Sequence, residues 1–467
     1  MHKKSKTLFS IFSVLLLLSG AYYGSIVWKN KKAEPVSSFT PALKLGSIES
    51  SSLVKIEVPG FALEKINDSW ELIYHDGKIP PGFELDQRQI QILAYTLTSI
   101  WIDRIVDETP SGLSVYGLDK PGARVILTDS AGEMAEFILG DITPSRTAYY
   151  AMTSGDPAVY TISSYQAESM SLTLDSIRQR SLFSAFAPGE IRRVRIESAQ
   201  KRIEISVKPE AVPPYLASAF STYLLTSPYL LPRGVYAEVL HDFLKPFNNL
   251  EIIDFIDDDP GFLRAYGLDR PIRFFIEAKN KSLDLLLGNE VDGKRYAKLA
   301  AAHGIFTVGG LEPVINAKPF ALIDKFLFLI NIDMVERLSI SGGERTLSAD
   351  FEGIGDESTF YLDGKKAESF SFRTFYQTVV GLFAEAEYPA QHPAEYAGAS
   401  GTVLQSEDAG INIDFRLNTP PDGRVSINLV PYNRDFYAVK QDGTMEFLVS
   451  RSQVRGVFDA ANKVVFE

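Results

Sequence analysis

The sequence contains no cysteine among its 467 residues. This absence excludes disulfide bonds, thiolate metal ligands, a cysteine nucleophile and the lipid-modified cysteine of a lipoprotein. Histidine is almost as scarce, and its five positions are His2, His75, His241, His303 and His392. No two of them have the spacing of a helical metal site. We therefore expect no metal centre and no bound cofactor.

Motifs of nucleotide-binding and hydrolytic enzymes are missing as well. The sequence has no Gly-x-Ser-x-Gly elbow, no Gly-x-x-x-x-Gly-Lys-Ser/Thr phosphate loop and no Gly-x-Gly-x-x-Gly fingerprint. Residues 341–345, Ser-Gly-Gly-Glu-Arg, resemble part of the signature loop of ABC-type ATPases. That loop cannot bind ATP without a phosphate loop, so we interpret it as a turn between strands. The sequence predicts a protein that is not an enzyme.

Carboxylates are abundant, but their spacing selects no site. Asp254, Asp257, Asp258 and Asp259 form an acidic group that lacks the alternating ligands of an EF-hand. We expect these side chains to be solvated at a turn. An envelope hydrolase would require two carboxylates that converge in a cleft with shifted pKa values. Nothing in the sequence singles out such a pair.

The composition and charge indicate a folded, strand-rich body. Hydrophobic residues make up 45% and aromatic residues 12% of the chain, so it can bury substantial cores in two to four domains. Thirty Phe and 21 Tyr favour strands over a helical bundle. The net charge of −12 is uneven, because six lysines precede the first acidic residue, Glu34, and all 59 acidic residues follow. Such a body is expected to repel nucleic acid.

An uncharged apolar run of 21 residues, Leu8–Trp28, lies between lysines near the N-terminus. As a helix it would be about 31 Å long, close to the roughly 30 Å of bilayer hydrocarbon. We interpret residues 1–32 as a basic tail and an uncleaved anchor, because apolar and aromatic residues continue past a possible cleavage site at residues 19–21. A cleaved signal peptide is the alternative. The composition of residues 33–47 predicts a linker.

A hexapeptide occurs twice, 150 positions apart. The two copies are Tyr116-Gly117-Leu118-Asp119-Lys120-Pro121 and Tyr266-Gly267-Leu268-Asp269-Arg270-Pro271. A downstream tripeptide, Leu139-Gly140-Asp141, also returns as Leu287-Gly288-Asn289 at a slightly shorter offset. Two copies of one supersecondary unit explain this order better than chance.

The hexapeptide predicts a tight corner that leads into a strand. Pro121 and Pro271 push the residue before them toward extended geometry, and the two glycines can adopt a positive φ. Aspartate side chains at positions 119 and 269 are expected to bond backbone amides, and the tyrosine ring is expected to pack beneath the corner. We interpret the corner as structural; a ligand-contacting loop is the alternative.

The order of apolar patterns predicts an α+β fold of tandem antiparallel modules at residues 48–188, 189–333 and 334–467. Each module begins with hairpin strands, continues with a helix and more strands, and ends with a helix near 164–179, 311–328 or 452–464. The third module is degenerate, with Tyr396-Ala397-Gly398 as the only possible remnant of the corner. An insertion in module two, Pro213–Pro232, either packs inward or exposes an apolar contact surface.

The whole pattern resembles the bacterial domain of unknown function 4340 family. The resemblance rests on the N-terminal apolar segment, the first hexapeptide followed by Phe137-Ile138-Leu139-Gly140-Asp141, the pair Tyr149-Tyr150, and Val159-Tyr160. It covers most of residues 50–185 and again 190–330. The resemblance implies a membrane-anchored envelope protein that is commonly encoded beside ABC transporters of the gliding or auxiliary type, without established catalytic residues.

We therefore expect a single-pass protein of the inner membrane with its large body outside the cytoplasm. Its expected role is that of a non-enzymatic accessory or scaffold for an ABC-type transporter, with the membrane and the transporter subunits as partners. The alternative is an extracytoplasmic binder of envelope polymer or small ligand, which predicts an aromatic-lined cleft between modules.

Overall fold

The computed structural model describes residues 44–183, 185–187, 189–217, 220–342, 345–389, 410–418 and 423–467. Within these ranges, no helix combines the length and the apolar character needed to cross a bilayer. The predicted anchor Leu8–Trp28 and residues 33–43 of the predicted linker lie outside the described residues. The described chain forms two compact units, residues 44–78 with 85–178 and residues 79–84 with 179–467.

The first unit contains one eight-stranded antiparallel sheet. Its strands are β1 (Leu53–Val58), β2 (Phe61–Ile66), β3 (Ser69–His75), β4 (Arg104–Asp107), β5 (Ala123–Asp129), β6 (Met134–Ile142), β7 (Ala148–Thr153) and β8 (Val159–Ser163). Their order across the sheet is β3-β2-β1-β5-β6-β7-β8-β4. Two α-helices accompany it, α1 (Gln87–Leu97) and α2 (Ser164–Glu168).

The second unit contains two nine-stranded antiparallel sheets. The strands of the second sheet are β9 (Ile191–Glu197), β10 (Arg202–Val207), β11 (Tyr223–Ser227), β12 (Arg233–Val235), β13 (Phe255–Asp257), β14 (Ile272–Ala278), β15 (Ser282–Val291), β16 (Lys294–Leu299) and β17 (Ile305–Val308). Those of the third sheet are β18 (Val335–Ser341), β19 (Leu347–Glu352), β20 (Thr359–Leu362), β21 (Lys365–Ala367), β22 (Ala386–Glu387), β23 (Ile411–Leu417), β24 (Arg424–Pro431), β25 (Phe436–Gln441) and β26 (Thr444–Ser450). The helices are α3 (Pro214–Ala217), α4 (Ala237–Leu244), α5 (Glu312–Ile315), α6 (Pro319–Leu322), α7 (Ser369–Val380) and α8 (Arg451–Ala461).

All three sheets share one topology. The second has the order β12-β11-β10-β9-β14-β15-β16-β17-β13, and the third has the order β21-β20-β19-β18-β23-β24-β25-β26-β22. In each sheet, the first strands along the chain form one meander and the later strands form a second meander. The first strand of the first meander pairs with the first strand of the second meander. The strand that follows the helix between the two meanders pairs with the last strand of the second meander and forms the edge of the sheet. The predicted α+β fold of repeated antiparallel modules is therefore confirmed, and the third repeat keeps the topology although it lacks the hexapeptide. The predicted module boundaries stay predictions.

Helix α1 forms where its sequence predicts. The Asp86 carboxylate accepts a hydrogen bond from the N–H of Gln89 (2.9 Å) and caps the first turn. The apolar stripe of this helix, which includes Ile90, is buried against the first sheet. The Gln87 side chain bonds both the N–H and the carbonyl of Trp70 (2.8 and 2.9 Å) on edge strand β3. It thereby satisfies backbone groups that an edge strand would otherwise leave open.

The helices that close the first two modules are much shorter than predicted. Instead of one helix over 164–179, the chain forms α2 and a 3-10 turn at Leu174–Ser176. Ser169 and Ser176 turn their hydroxyls onto nearby backbone carbonyls, a local bonding pattern that competes with helix continuation. Instead of one helix over 311–328, α5 and α6 form, each with proline in its first turn. The last predicted helix is present as α8.

Each sheet buries one face and exposes the other. Strand β14, for example, buries Phe274, Ile276 and Ala278 in alternation. On the opposite faces, arginine–carboxylate pairs join neighbouring strands, namely Arg124–Glu136, Arg273–Asp284 and Arg337–Asp350. Most buried apolar residues of the second and third sheets belong to one continuous cluster, and a small separate cluster contains Ala438 and Leu448 on β25 and β26. The two repeats of the second unit are therefore packed into a common core.

Candidate functional site

The first hexapeptide folds into a corner between a 3-10 turn and strand β5. Ser114–Tyr116 form the turn, and Gly117 follows with a φ of +68°. The N–H of Leu118 donates to the carbonyl of Leu113 (3.1 Å), and the Leu118 side chain is buried. The chain then enters β5 at Ala123. The glycine is required here because other residues rarely adopt this φ.

The second hexapeptide repeats this geometry before strand β14. Its 3-10 turn is Leu263–Tyr266, and Gly267 has a φ of +72°. The N–H of Leu268 donates to the carbonyl of Leu263 (3.0 Å), and Leu268 is again buried. Strand β14 begins at Ile272. The two corners therefore have the same backbone path.

The downstream tripeptide repeats because it receives the corner. At Gly140 in β6, a Cβ atom would overlap the carbonyl oxygen of Tyr116 and press against the Leu118 side chain. A Cβ atom at Gly117 would in turn overlap the Asp141 carboxylate. Both glycines thus allow the corner to lie directly on β6.

The second repeat has the same interlock. A Cβ atom at Gly288 in β15 would overlap the carbonyl oxygen of Tyr266, and one at Gly267 would overlap the Asn289 amide. The two sequence motifs, which begin more than twenty positions apart, are therefore two sides of one contact. This contact accounts for their joint recurrence.

A tyrosine and an aspartate close the first corner. The Tyr116 hydroxyl donates to Oδ2 of Asp107 (3.1 Å), whose Oδ1 accepts from the N–H of Thr109 (3.1 Å). The Tyr116 ring meets the Tyr150 ring edge-on, with centroids 5.1 Å apart. Desolvation, followed by the hydrogen bond to Asp107, raises the pKa of Tyr116. The hydroxyl therefore stays protonated and acts as a donor at neutral pH.

The second corner has an equivalent closure. The Tyr266 hydroxyl donates to Oδ2 of Asp257 (3.0 Å), and Oδ1 accepts from the N–H of Asp259 (3.1 Å). The Tyr266 and Tyr296 rings also meet edge-on at 5.1 Å. The hydrogen bond to Asp257, followed by desolvation, raises the pKa of Tyr266. The agreement between the copies indicates a conserved fold element within the chain.

Sequence reasoning missed the aspartates that receive these hydrogen bonds. Asp107 and Asp257 are separated by the same 150 positions as the two hexapeptides. Two further pairs share this offset, Pro110 with Pro260 and Leu113 with Leu263. Extending the repeat nine residues upstream would have found them.

The other polar members of the hexapeptide do not take part in the corner contacts. The Asp119 and Asp269 side chains are exposed, and no other described residue hydrogen-bonds to them. The expectation that they bond backbone amides is therefore wrong: the tight turn is closed by the N–H of Leu118 and of Leu268 instead. Pro121 and Pro271 lie just before the strands, where a fixed φ favours entry into extended backbone.

Two members of the acidic group around β13, Asp254 and Asp257, bond protein partners. Asp254 accepts from the Lys294 ammonium (2.7 Å) and from the Thr307 hydroxyl (2.9 Å), and these contacts lower its pKa. Asp257 belongs to the second corner. Across the part of the chain that the structure describes, no three His or acidic side chains are grouped closely enough to hold a metal ion.

A buried polar cluster, which we call the clamp, joins the insertion of the second repeat to the third sheet. The Tyr229 hydroxyl donates to Oε1 of Glu387 (2.5 Å). The N–H groups of Leu230 and Leu231 donate to the two carboxylate oxygens of Glu446 (2.6 and 3.5 Å). Tyr229, Glu387 and Glu446 are each only 3% exposed.

Arg233 completes the clamp. Its guanidinium lies 3.6 Å from the Glu446 carboxylate, 3.4 Å from the Gln441 amide oxygen and 4.6 Å from the centre of the Phe447 ring. Burial lowers the pKa of Arg233, and Glu446 opposes that effect. Burial raises the pKa of Tyr229, and Glu387 adds to the increase. The clamp therefore contains a neutral tyrosine donor and an arginine that keeps its charge at neutral pH.

Glu387 and Glu446 are two carboxylates that the fold brings together, as an envelope hydrolase would require. Their surroundings differ from those of a catalytic pair, because protein donors occupy their oxygens and the insertion covers them. The cavity beside Arg233 has a volume of about 20 Å³, which is the space of a single water molecule. The clamp fits an internal structural role.

A family model described as "Domain of unknown function (DUF4340)" matches residues 78–271 and, a second time, residues 225–397. Together the two matches cover more than half of the chain. The chain belongs to the DUF4340 family. Searches among curated proteins and among solved structures found no match.

The two DUF4340 matches follow the sequence repeat. The first begins after β3 and ends at Pro271, the last residue of the second hexapeptide. The second begins in β11 and ends at Ala397, inside Tyr396-Ala397-Gly398, which lies outside the described residues. Each DUF4340 match therefore includes the strand that closes a sheet. The resemblance inferred from the hexapeptide is confirmed.

Proposed function

We propose that this DUF4340 protein is a membrane-anchored, extracytoplasmic scaffold that binds an ABC-type transporter. The observation that carries the proposal is the uncharged run Leu8–Trp28, with six lysines before the first acid and an acidic body after it. A short basic tail before an acidic body favours a tail inside the cytoplasm and a body outside. The link to a transporter rests on the family resemblance.

A binding role agrees with the described surfaces. The three sheets each present a solvent-facing side on which arginine–carboxylate pairs join neighbouring strands. Such faces are rigid, polar and well suited to contacts of the kind found between domains.

The first test is purification of the full-length protein in mild detergent from its native membranes, followed by identification of the proteins that accompany it. We expect polytopic membrane subunits and an ATPase in comparable amounts. The matched variant is Leu17→Arg with Leu18→Arg, which adds a charge penalty of about 2.5–3.5 kcal/mol per residue at the centre of the run. It should abolish membrane retention and recovery of the transporter subunits.

The control places the same two charges in the predicted linker, as Ser37→Arg with Ser38→Arg. This variant should remain in the membrane and retain the partners. Recovery of the unmodified protein alone and monomeric would contradict the scaffold role and favour the alternative, an extracytoplasmic binder of envelope polymer or small ligand.

Membrane orientation has a separate test that uses the absence of cysteine. Ser130→Cys places one thiol on an exposed turn of the body, and Ser5→Cys places one in the basic tail. With a membrane-impermeant maleimide and intact spheroplasts, we expect labelling at position 130 and protection at position 5 until the membrane is opened. The reverse pattern would contradict the proposed topology.

A further inference from the structure

The insertion of the second repeat extends to the third repeat and satisfies its buried carboxylates. Tyr229 reaches Glu387 on β22, and the backbone of Leu230 and Leu231 reaches Glu446 on β26. Arg233, at the start of β12, faces the same carboxylate from the other side. Every clamp donor thus comes from the second repeat, and each acceptor named here comes from the third.

A second set of contacts links the same two repeats through the backbone. The N–H of Leu327 donates to the carbonyl of Leu382 (3.0 Å), and the N–H of Ala384 donates to the carbonyl of Lys325 (2.7 Å). Phe328, in the segment before β18, packs edge-on against Phe415 on β23 at 4.8 Å. The clamp is therefore one of several places where these repeats are joined, and others include the Phe320–Phe447 ring contact and the hydrogen bond from the Tyr376 hydroxyl to the carbonyl of Ile330 (2.8 Å).

The clamp differs from these apolar and backbone contacts because it requires all of its members. Arg233 is 6% exposed and the two glutamates are 3% exposed. A buried charge that loses its partner is strongly destabilising, since neither water nor another ion can replace it. A substitution that removes Arg233 or Glu446 would leave its partner buried and unpaired while the two repeats stay docked. Opening of one repeat without the other would break the hydrogen bonds that the clamp makes between them.

The first repeat lacks the segment that makes the clamp. Strand β3 is the edge strand of the first sheet, whereas the equivalent strand β11 of the second sheet pairs with a further strand, β12. The Tyr229–Arg233 segment follows β11. The first sheet forms a compact unit of its own, and the second and third sheets belong to one unit.

From these observations we infer that the clamp is a lock that couples the second and third repeats, so that they open as one cooperative body. The inference goes beyond the proposed function, because it concerns mechanical coupling within the chain and does not depend on a membrane or a transporter. Its chemical basis is the set of buried hydrogen bonds from the insertion to Glu387 and Glu446, together with the charge pair of Arg233 and Glu446.

Native-state hydrogen exchange of the full-length protein, analysed by mass spectrometry at increasing urea, tests the lock. In the unmodified protein, peptides covering β14 and β23 should exchange with the same opening constant. Arg233→Met should separate them and raise the opening constant of β23 by roughly 100-fold or more, as expected for loss of one partner of a buried ion pair. The control Arg273→Met removes an exposed arginine paired with Asp284 and should leave the two peptides together.

Two further variants keep the test decisive if Arg233→Met does not fold. Tyr229→Phe deletes a single hydroxyl and should separate the peptides by about tenfold, the effect of a hydrogen bond to a charged group. In a cycle of Arg233→Met with Glu446→Gln, the double variant should fall short of the product of the two single effects. Independent, multiplicative effects would overturn the lock. Separate opening of β14 and β23 in the unmodified protein would overturn it as well.

Discussion

The corners and the clamp stabilise this chain in different ways. Each corner depends on backbone geometry: a glycine with positive φ and a second glycine on the neighbouring strand allow the corner to lie directly on that strand, and a partly exposed tyrosine closes the loop. The clamp occurs once and depends on charge, with Glu387, Glu446 and Arg233 almost fully buried. A corner can therefore be copied with only a few residues retained, whereas the clamp needs each partner in place.

The contrast also separates local stability from coupling. The contacts of a corner lie within one repeat, so its loss should weaken that repeat. The clamp joins two repeats, so its loss should also change how they unfold together. Substitutions in the corners and in the clamp therefore measure local stability and coupling separately.

The largest effect is expected for Glu446→Ala. This change leaves Arg233 buried without its carboxylate and removes the acceptor of the Leu230 and Leu231 N–H groups. We expect the second unit to lose about 3–5 kcal/mol of unfolding free energy, measured from urea unfolding by circular dichroism. The matched control is Glu290→Ala, whose carboxylate is 59% exposed beside Arg295 and should contribute about 1 kcal/mol or less. Equal losses would contradict the buried-charge account.

A smaller and paired effect is expected for Gly140→Ala and Gly288→Ala. In both, the new Cβ atom overlaps a tyrosine carbonyl oxygen, so the backbone must shift at a cost of about 1–3 kcal/mol. Gly140→Ala should weaken the first unit, which contains Trp70 and Trp101, and tryptophan fluorescence will report it. Gly288→Ala should act on the second unit, which contains no tryptophan.

Gly112→Ala is the control for both glycine variants, because a Cβ atom there meets nothing within 4 Å. It should leave the first transition almost unchanged. A loss as large as that of Gly140→Ala would show that the corner does not depend on close approach to β6.

Alkaline pH should destabilise the second unit more steeply than the first. Burial raises the pKa of Tyr229 and of Tyr376 in the second unit. In the first, burial and the hydrogen bond to Asp156 raise the pKa of Tyr160 to about 12. An unfolded tyrosine ionises near pH 10, so the stabilisation is complete below pH 10 and is lost as pH rises toward the folded-state pKa.

Each buried tyrosine should contribute a slope of about 1.4 kcal/mol per pH unit between these two pKa values. Urea unfolding from pH 9 to pH 11.5 measures the slopes, with fluorescence for the first unit and circular dichroism for the whole chain. Tyr229→Phe with Tyr376→Phe should reduce the slope of the second unit without abolishing it, because desolvation also raises the pKa of Tyr236 to about 12. Equal slopes in the two units before substitution would contradict the assignment.

The fold could be predicted from sequence to the extent that local patterns determine it. Alternating strands, the Asp86 cap and the repeated hexapeptide are short-range signals, and the structure contains the corresponding sheets, helix α1 and corners. The prediction of long closing helices in the first two modules was wrong, because it gave apolar periodicity more weight than proline and serine. The apolar anchor lies outside the described residues and stays a prediction.

The clamp could not be predicted in the same way. Tyr229 and Glu387 are 158 positions apart, and Arg233 and Glu446 are more than 200 apart. Single acidic residues on strands usually face solvent, and no repeat marks these positions. Only the topology, which places β22 beside β26 and the insertion over both, brings the charges together.

The smallest effect is expected at two residues that the repeat itself singles out. Asp119 and Asp269 are identical in both hexapeptides, yet both are exposed. Asp119→Ala and Asp269→Ala should therefore change unfolding free energy by no more than about 0.5 kcal/mol, as measured by urea unfolding against Gly140→Ala and Gly288→Ala. A loss above about 1 kcal/mol would reveal a contact of these carboxylates in solution. Unchanged stability would show that some residues identical in the two hexapeptides do not stabilise the corner, and that the glycine contacts are sufficient.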